Sequence, residues 1–220
     1  MALRVHKFTF NPFSENTYLL ISENNKAAIF DPGIYDTNER AVFLNYLKEE
    51  GIELIQLINT HCHLDHVFGN AFIAQHFGLP LQMHKDDLVT LAQAEKSASL
   101  YGLNFEQSPE PEIFLEHGQV IDLDGSSLEI RHCPGHCPGH IVFVAHEEQL
   151  VIGGDVLFEG SVGRVDLPGG NAADLDRSIR EQLYTLPDNY RVHPGHGNAT
   201  TIGKEKKSNP FVFEGGSGLL

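Results

Sequence analysis

The sequence predicts an α/β (α+β) chain in which helices pack on the outer faces of two sheets. Two strand-rich blocks occur, each with helices attached, in the order β-meander, helix, strand, helix, then hairpins, helix and strand; one parallel wound sheet does not give that order. No composition shift, linker or long repeat divides the 220 residues, so they read as one domain, 1–220. With 41% hydrophobic and 20% charged residues, the composition is that of a chain able to bury a core.

The elements follow in order. Val5–Phe10 is β-rich, Asn11-Pro12 breaks it, Tyr18–Ile21 resumes, and Ala27–Phe30 follows the turn Glu23-Asn24-Asn25. Asp31-Pro32-Gly33 ends that third strand. From Asn38 to Glu50, Val42, Phe43, Leu44 and Leu47 share one helical face, and Gly51 stands where a helix-ending glycine belongs. Ile52–Ile58 is a short apolar strand. A helix over Val67–Phe77 is stopped by Gly78 and Pro80, Leu81–Met83 is a strand, and Asp86-Asp87 cap a third helix reaching Tyr101. Beyond the loop Gln107–Pro111, strands return at Gln119–Leu123, Leu128–His132, Ile141–Ala145 and Leu150–Ile152, with Asp124-Gly125 a hairpin signal. A helix over Ala172–Tyr184 and a strand at Tyr190–Val192 complete the pattern. Residues from about 209 to 220, with Gly-Gly-Ser-Gly among them, are expected to form a loosely ordered tail.

Charge narrows the function. The chain carries 15 Lys+Arg against 30 Asp+Glu, a formal net charge of −15 with His neutral, which disfavours nucleic acid and anionic membranes as partners. No apolar run is long enough to span a bilayer, and the N-terminus lacks the apolar core and cleavage site of a secretory signal, so a cytoplasmic location is expected. Cys62, Cys133 and Cys137 cannot all pair, and they sit among histidines, so reduced thiols are expected.

The 13 His are the unusual number, since His is the commonest metal ligand. Thr60-His61-Cys62-His63-Leu64-Asp65-His66 leaves the strand ending at Ile58. With 13 His and 12 Asp, an H-x-H-x-D-H string arises by chance roughly 0.002 times in such a chain, so a solvated polar loop is a poor account of it. Alternate residues of a loop leaving a strand turn one way, so His61 and His63 can reach one ion while Asp65 and His66 reach another. Imidazole and carboxylate suit Zn²⁺, Fe or Mn²⁺. Three further groups follow strands: the tandem Cys133-Pro134-Gly135-His136-Cys137-Pro138-Gly139-His140, then Gly153-Gly154-Asp155, then His193-Pro194-Gly195-His196. Pro-Gly turns can push a histidine inward, but the residues alone leave His136 and His140 equal candidates. His6, His76, His84, His117, His132 and His146 read as surface or core histidines, and Lys204, Lys206 and Lys207 as a solvated charge cluster.

Together the Thr-His-x-His-x-Asp-His string, Pro-Gly-His at 134–136, Gly-Asp at 154–155 and Gly-His at 195–196 resemble the ordered motifs of the metallo-β-lactamase superfamily over residues 15–200. Within it, Pro-Gly-His-x-x-Gly-His at 134–140 and Gly-Asp-x-Leu-Phe at 154–158 are most similar to glyoxalase II-type, hydroxyacylglutathione hydrolase-like proteins without the C-terminal helical domain. The resemblance implies a four-layer αββα sandwich. It also implies that His61, His63 and His136 bind a first metal, that Asp65, His66 and His196 bind a second, and that Asp155 bridges them. Two divalent ions per chain follow, Zn²⁺ preferred over Fe or Mn. Asp65 and Asp155 are then the candidate catalytic carboxylates, Asp31 and His140 stand behind the ligands, and Arg164 is the candidate for a substrate carboxylate. A simple surface ion pair is an equal reading of Arg164. Cys133 and Cys137 replace the family's usual threonines, which would put thiols near the metals.

The expected reaction is thioester hydrolysis, S-lactoylglutathione being the example, by attack of a metal-bridging hydroxide whose pKa lies toward about 7. A thiolate, with thiol pKa of about 8.5, leaves without strong protonation, which suits a site lacking an obvious general acid. The alternatives are a mononuclear iron persulfide dioxygenase using His61, His136 and Asp155, or hydrolysis of another ester or lactone. Asp155, where β-lactam hydrolases of the superfamily commonly carry Cys, argues against antibiotic hydrolysis as the main role. The partner expected is a small molecule, and an anionic one is admissible because the ions make the pocket locally positive.

Overall fold

The computed structural model describes residues 3–212. Two six-stranded sheets lie face to face. The first runs β1 (Arg4–Phe10), β2 (Glu15–Ile21), β3 (Lys26–Phe30), β4 (Glu53–Ile58), β5 (Leu81–Met83) and β6 (Ile113–Phe114), antiparallel up to β3 and parallel beyond it. The second contains β7 (Val120–Leu123), β8 (Ser126–His132), β9 (Ile141–Ala145) and β10 (Leu150–Gly154), with a small separate hairpin, β11 (Leu157–Phe158) and β12 (Ser161–Val162), after them. It closes with β13 (Arg191–Pro194), parallel to β10, and β14 (Thr200–Thr201) at the edge.

Three apolar layers make the sandwich four-layered. Between the sheets lie Leu20, Phe30, Phe143 and Ile152, with Phe30 and Phe143 meeting edge-to-face at 4.9 Å. Outside the first sheet, Phe43 and Leu47 of α1 (Thr37–Glu50) pack with Ile73 of α3 (Asn70–Phe77), which follows the one-turn α2 (Leu64–Val67). Leu91 of α4 (Leu88–Leu91) and Ala98 of α5 (Ala94–Tyr101) join them. Outside the second sheet, Leu175 of α6 (Ala172–Ser178) packs with Ile202 of α7 (Ile202–Ser208). Apolar residues thus alternate inward along strands and share one stripe on helices, as burial of a single face requires. No helix among the described residues is long and apolar enough to cross a membrane.

Several expectations need correction. Val42 is 54% exposed, because α1 buries only the Phe43/Leu47 stripe. The helix expected over Val67–Phe77 is two, broken where the Gly69 amide donates to the Pro32 carbonyl at 2.7 Å and a Cβ would collide with that carbonyl. The helix expected from Asp86-Asp87 to Tyr101 is a 3₁₀ turn followed by α4 and α5, and Asp87 does not cap it with its side chain, which points into the interior. The helix over Ala172–Tyr184 opens into a π turn at Ile179–Leu183. Of the tail, Asn209 and Val212 are fully buried, Asn209 Nδ2 donating to the Ser161 carbonyl, while 213–220, with the Gly-Gly-Ser-Gly stretch, lie outside the described residues. The lysines of α7 are paired, Lys204 with Glu159 and Lys206 and Lys207 with Asp188.

Phe143 is fully buried in the inter-sheet layer, whereas Val42 is largely exposed. Phe143→Ala should cost about 3–5 kcal/mol in urea unfolding of the metal-free protein, whereas Val42→Ala should cost little. A loss below about 1 kcal/mol at Phe143 would show that this layer is not the principal core.

Candidate metal centre

The strands β3, β4, β10 and β13 end at one edge of the sandwich, and each delivers a polar segment there. Asp31, just past β3, adopts φ 50°, an uncommon conformation for a residue with a side chain. Hydrogen bonds hold it: its carboxylate accepts from the Thr60 amide at 2.6 Å and the Thr60 hydroxyl at 2.5 Å. Thr60 thereby fixes the direction in which the chain leaves β4. His61 and His63 follow in extended backbone, and α2 then turns Asp65 and His66 toward the same space. The sheets are tied across this edge by the Ile141 amide donating to the Thr60 carbonyl and the Asn16 amide donating to the Gly195 carbonyl.

The side chains gather into two groups. Ligand atoms of His61, His63 and His136 lie within 4.8 Å of one another, as do those of Asp65, His66 and His196. Asp155 stands between them: its carboxylate is 3.6 Å from the Nε2 atoms of His136, His66 and His196. His61 Nε2, His66 Nε2 and Asp155 Oδ1 are buried without a hydrogen-bond partner among the described residues. Buried polar atoms are nearly always satisfied, so orphaned atoms from the ends of β4 and β10 facing one space mark a place for a cation. The donor set, five imidazoles and two carboxylates, fits divalent ions of the zinc and iron kind.

A backing layer orients these donors. His136 Nδ1 bonds the Arg164 carbonyl at 2.8 Å, its Nε2 lies 2.8 Å from His63 Nδ1 and 3.6 Å from the Asp155 carboxylate, and His66 Nδ1 lies 3.2 Å from the Asp31 carboxylate. Such partners set the tautomer and ring orientation of a metal-binding histidine. His140 belongs to neither group. Its Nε2 accepts the Asp155 amide at 2.9 Å and its ring stacks on His61 at 4.7 Å, so of the two candidates in the tandem motif only His136 joins the donors. A Cβ at Gly154 would collide with Thr60 and His140, and one at Gly195 with Asp155 and His66, which is why both strand ends carry glycine.

Two carboxylates were missed from the sequence. Glu15, at the start of β2, is fully buried 3.8 Å from His66 Nδ1. Asp87, also fully buried, accepts the Cys62 amide at 2.5 Å, the Thr90 hydroxyl at 2.8 Å and the Gly139 amide at 3.3 Å. It therefore clamps the loop bearing His61 and His63 to the loop bearing His136. The signal was present at Asp86-Asp87, but spacing cannot tell a capping carboxylate from one that turns inward.

The two groups differ in charge. Burial pushes His61 and His63 down, His63 to about 3, with the neighbouring imidazoles adding to the effect, and burial likewise lowers His136. Burial would lower His66 and His196 too, but Asp65 and Asp155 carry both above the ordinary histidine value. Burial would raise Asp155 and Asp65, yet His66 beside them holds both below the usual carboxylate range. The surroundings of the first group thus favour neutral imidazoles, and those of the second favour protonated ones beside carboxylates. The cysteines take no part: all three are fully buried and burial raises their pKa values, so they remain thiols shielded from the site.

A cavity of about 430 Å³ opens over the donors, walled by Phe13, Leu64, Tyr101, Phe158, Val162 and Leu167. Arg164 lines it, but its guanidinium forks onto Asp166 at 2.7 and 2.8 Å in an exposed pair, so its firm contribution is the carbonyl that orients His136. Elsewhere His84, Asp86 and His132 also bring ligand atoms together. The two rings stack at 4.3 Å and 13°, so their in-plane lone pairs do not converge on a shared ion. Of the remaining histidines, His6 stacks on Tyr46, His76 lies against Phe77, His117 accepts the His132 amide and His146 bonds Glu129.

Residues 10–196 match the metallo-beta-lactamase superfamily. The chain is 39% identical over 202 residues to the hydroxyacylglutathione hydrolase GloC of Haemophilus influenzae, covering 91% of this chain and 93% of that one. Among solved structures, BLEG-1, a B3 metallo-beta-lactamase, superposes with a TM-score of 0.87 at 30% identity, over 95% of this chain and 99% of that one. TTHA1623 in a di-iron-bound form gives 0.84 at 38% identity, over 94% and 100%.

Asp87→Ala would strand the buried amides of Cys62 and Gly139, at about 1–3 kcal/mol each. Urea unfolding of the metal-free variant should show that loss, while exposed Asp86→Ala leaves the midpoint in place. Equal stability of the two variants would refute the clamp.

Proposed function

The chain belongs to the metallo-beta-lactamase superfamily, and from that premise we propose that this metallo-hydrolase is a binuclear thioester hydrolase of the glyoxalase II kind, acting on S-lactoylglutathione or a close relative. The observation that carries the reading is a set of six side chains in two groups of three with Asp155 between them, at the floor of an apolar-walled cavity. His61, His63 and His136 would hold one ion, Asp65, His66 and His196 the other, and Asp155 both. Zn²⁺ is the proposed metal, with Fe or Mn the alternatives; the di-iron form of TTHA1623 keeps iron in view.

When bound, the ions supply an activated water with pKa near about 7 and polarise the carbonyl under attack. The protein's own residues do the rest. Asp31, His140 and the Arg164 carbonyl hold the donors in register, which removes reorganisation at the moment of reaction. Phe13, Leu64, Phe158 and Val162 exclude water around the acyl group. Apart from the donors, the titratable side chains lining the cavity are Tyr101 and Arg164. A leaving group with pKa of about 8.5 needs no strong acid, and that favours a thioester over an amide, as does the likeness to GloC. The proposed partner is a small molecule rather than nucleic acid or membrane, which the net charge of −15 supports, and three buried free thiols go with a reducing, cytoplasmic setting. The likeness to BLEG-1 supports one second reading, β-lactam opening, despite Asp155.

Purified protein should contain two ions per chain and turn over S-lactoylglutathione faster than a chromogenic β-lactam. One iron per chain with oxygen uptake on glutathione persulfide would overturn this in favour of a dioxygenase. Asp155→Ala should weaken both ions; unchanged affinity would remove its bridging role. Acid should release the ions in order, because an ion at the second group must displace protons from His66 and His196, whose pKa values are raised, whereas His61, His63 and His136 are already neutral. As pH falls from 8 toward 5.5, metal analysis after dialysis should show the second ion leaving first, and simultaneous loss would contradict the two-group assignment.

A further inference from the structure

The layer between the sheets is packed with apolar side chains at its centre, but at the edge where β1 and β2 face β10 and β13 it opens into a cleft of about 690 Å³. That volume lies in the range of small-molecule sites. No residue lines both this cleft and the cavity over the metal donors. Val5, Leu150 and Ala199 give it an apolar wall, and the Tyr18 ring lies there with its hydroxyl already donating to the Pro194 carbonyl at 2.9 Å.

Its arginine sets the cleft apart. The sequence has 30 Asp+Glu against 15 Lys+Arg, so carboxylates to neutralise a cation are plentiful. Arg4, Arg40, Arg131, Arg164, Arg177 and Arg180 each hold one at 2.5–3.1 Å. The seventh arginine, Arg191, makes no ion pair among the described residues, and neither does Lys7, whose Nζ reaches the Gly197 carbonyl at 3.4 Å. Both line this cleft, on strands from opposite sheets, together with His193, whose ring meets that of Tyr18 edge-on at 5.5 Å. The one acid in the lining, Glu148, already accepts the Leu3 amide at 3.0 Å.

We propose that this inter-sheet cleft is a second binding site, separate from the metal centre, for a small organic anion whose carboxylate or phosphate is held between Arg191 and Lys7 and whose apolar part lies on Val5, Leu150 and Ala199. The planar guanidinium suits a forked contact with two oxygens, the ammonium adds a point charge, and His193 supplies a ring nitrogen beside them. A bound anion competes with the Gly197 carbonyl for Lys7, so the site touches the loop that carries His196.

The test is an amide NMR titration with inorganic phosphate and, separately, with butyrate, each against sodium chloride at matched ionic strength. Saturable shifts at Lys7, Arg191 and Gly197 are expected, with at least tenfold weaker binding in Arg191→Ala, partial recovery in Arg191→Lys and no change in Lys96→Ala on exposed α5. Saturation by phosphate alone assigns a phosphorylated ligand, and saturation by butyrate alone an apolar carboxylate. Shifts that chloride reproduces, or equal affinity in Arg191→Ala with an unchanged circular dichroism spectrum, would overturn the site.

Discussion

Four of the seven candidate donors, His61, His66, His136 and Asp155, are buried and forgo water, and the edge of the sandwich is organised around holding them there. The decisive contact is Asp31. Its carboxylate ties the Thr60 amide and hydroxyl and faces His66, so one buried charge aligns the chain leaving β4 and orients a donor of the second group. Asp87 performs the matching task for the first group by joining the loops of Cys62 and Gly139. Each carboxylate gains charge-assisted hydrogen bonds that offset part of its own desolvation.

These anchors explain why the site uses strand ends. Parallel strands β3 and β4 in one sheet and β10 and β13 in the other finish side by side, so four segments distant in sequence arrive with their directions set by ladder register. Glycine at 154 and 195 lets the segments approach closely enough for Asp155 to face both histidine groups. A rigid scaffold with polar strand ends thereby places candidate donors within a few ångströms of one another.

The charge difference between the groups links this architecture to function. Asp65 and Asp155 raise the pKa values of His66 and His196 against the effect of burial, whereas burial lowers those of His61, His63 and His136. The asymmetry arises from where the acids fall along the loops, since the ligand types on the two sides are nearly alike.

How much of this was written in the chain differs from residue to residue. Strand and helix periodicity placed β1, β3, β4 and α1 closely, and the His61–His66 string with the Pro-Gly-His and Gly-His segments supplied the members of the His61/His63/His136 and Asp65/His66/His196 groups, because ligand chemistry demands residue types at fixed local spacing. Val42, the breaks at Gly69 and after Asp87, and the two-residue strands β6, β11, β12 and β14 were not legible, since each depends on a neighbour far away in sequence. The same holds for His136 over His140: both sit in Cys-Pro-Gly-His, and only the packing of β9 and β10 turns one toward the donors and the other behind Asp155. The sequence by itself determined which side chains can bind a cation and the order in which strands deliver them. Tertiary structure alone decided which carboxylates turn inward, which histidines have their pKa values lowered and which cations pair among the described residues, because burial and long-range contact set those energies and local spacing does not encode them.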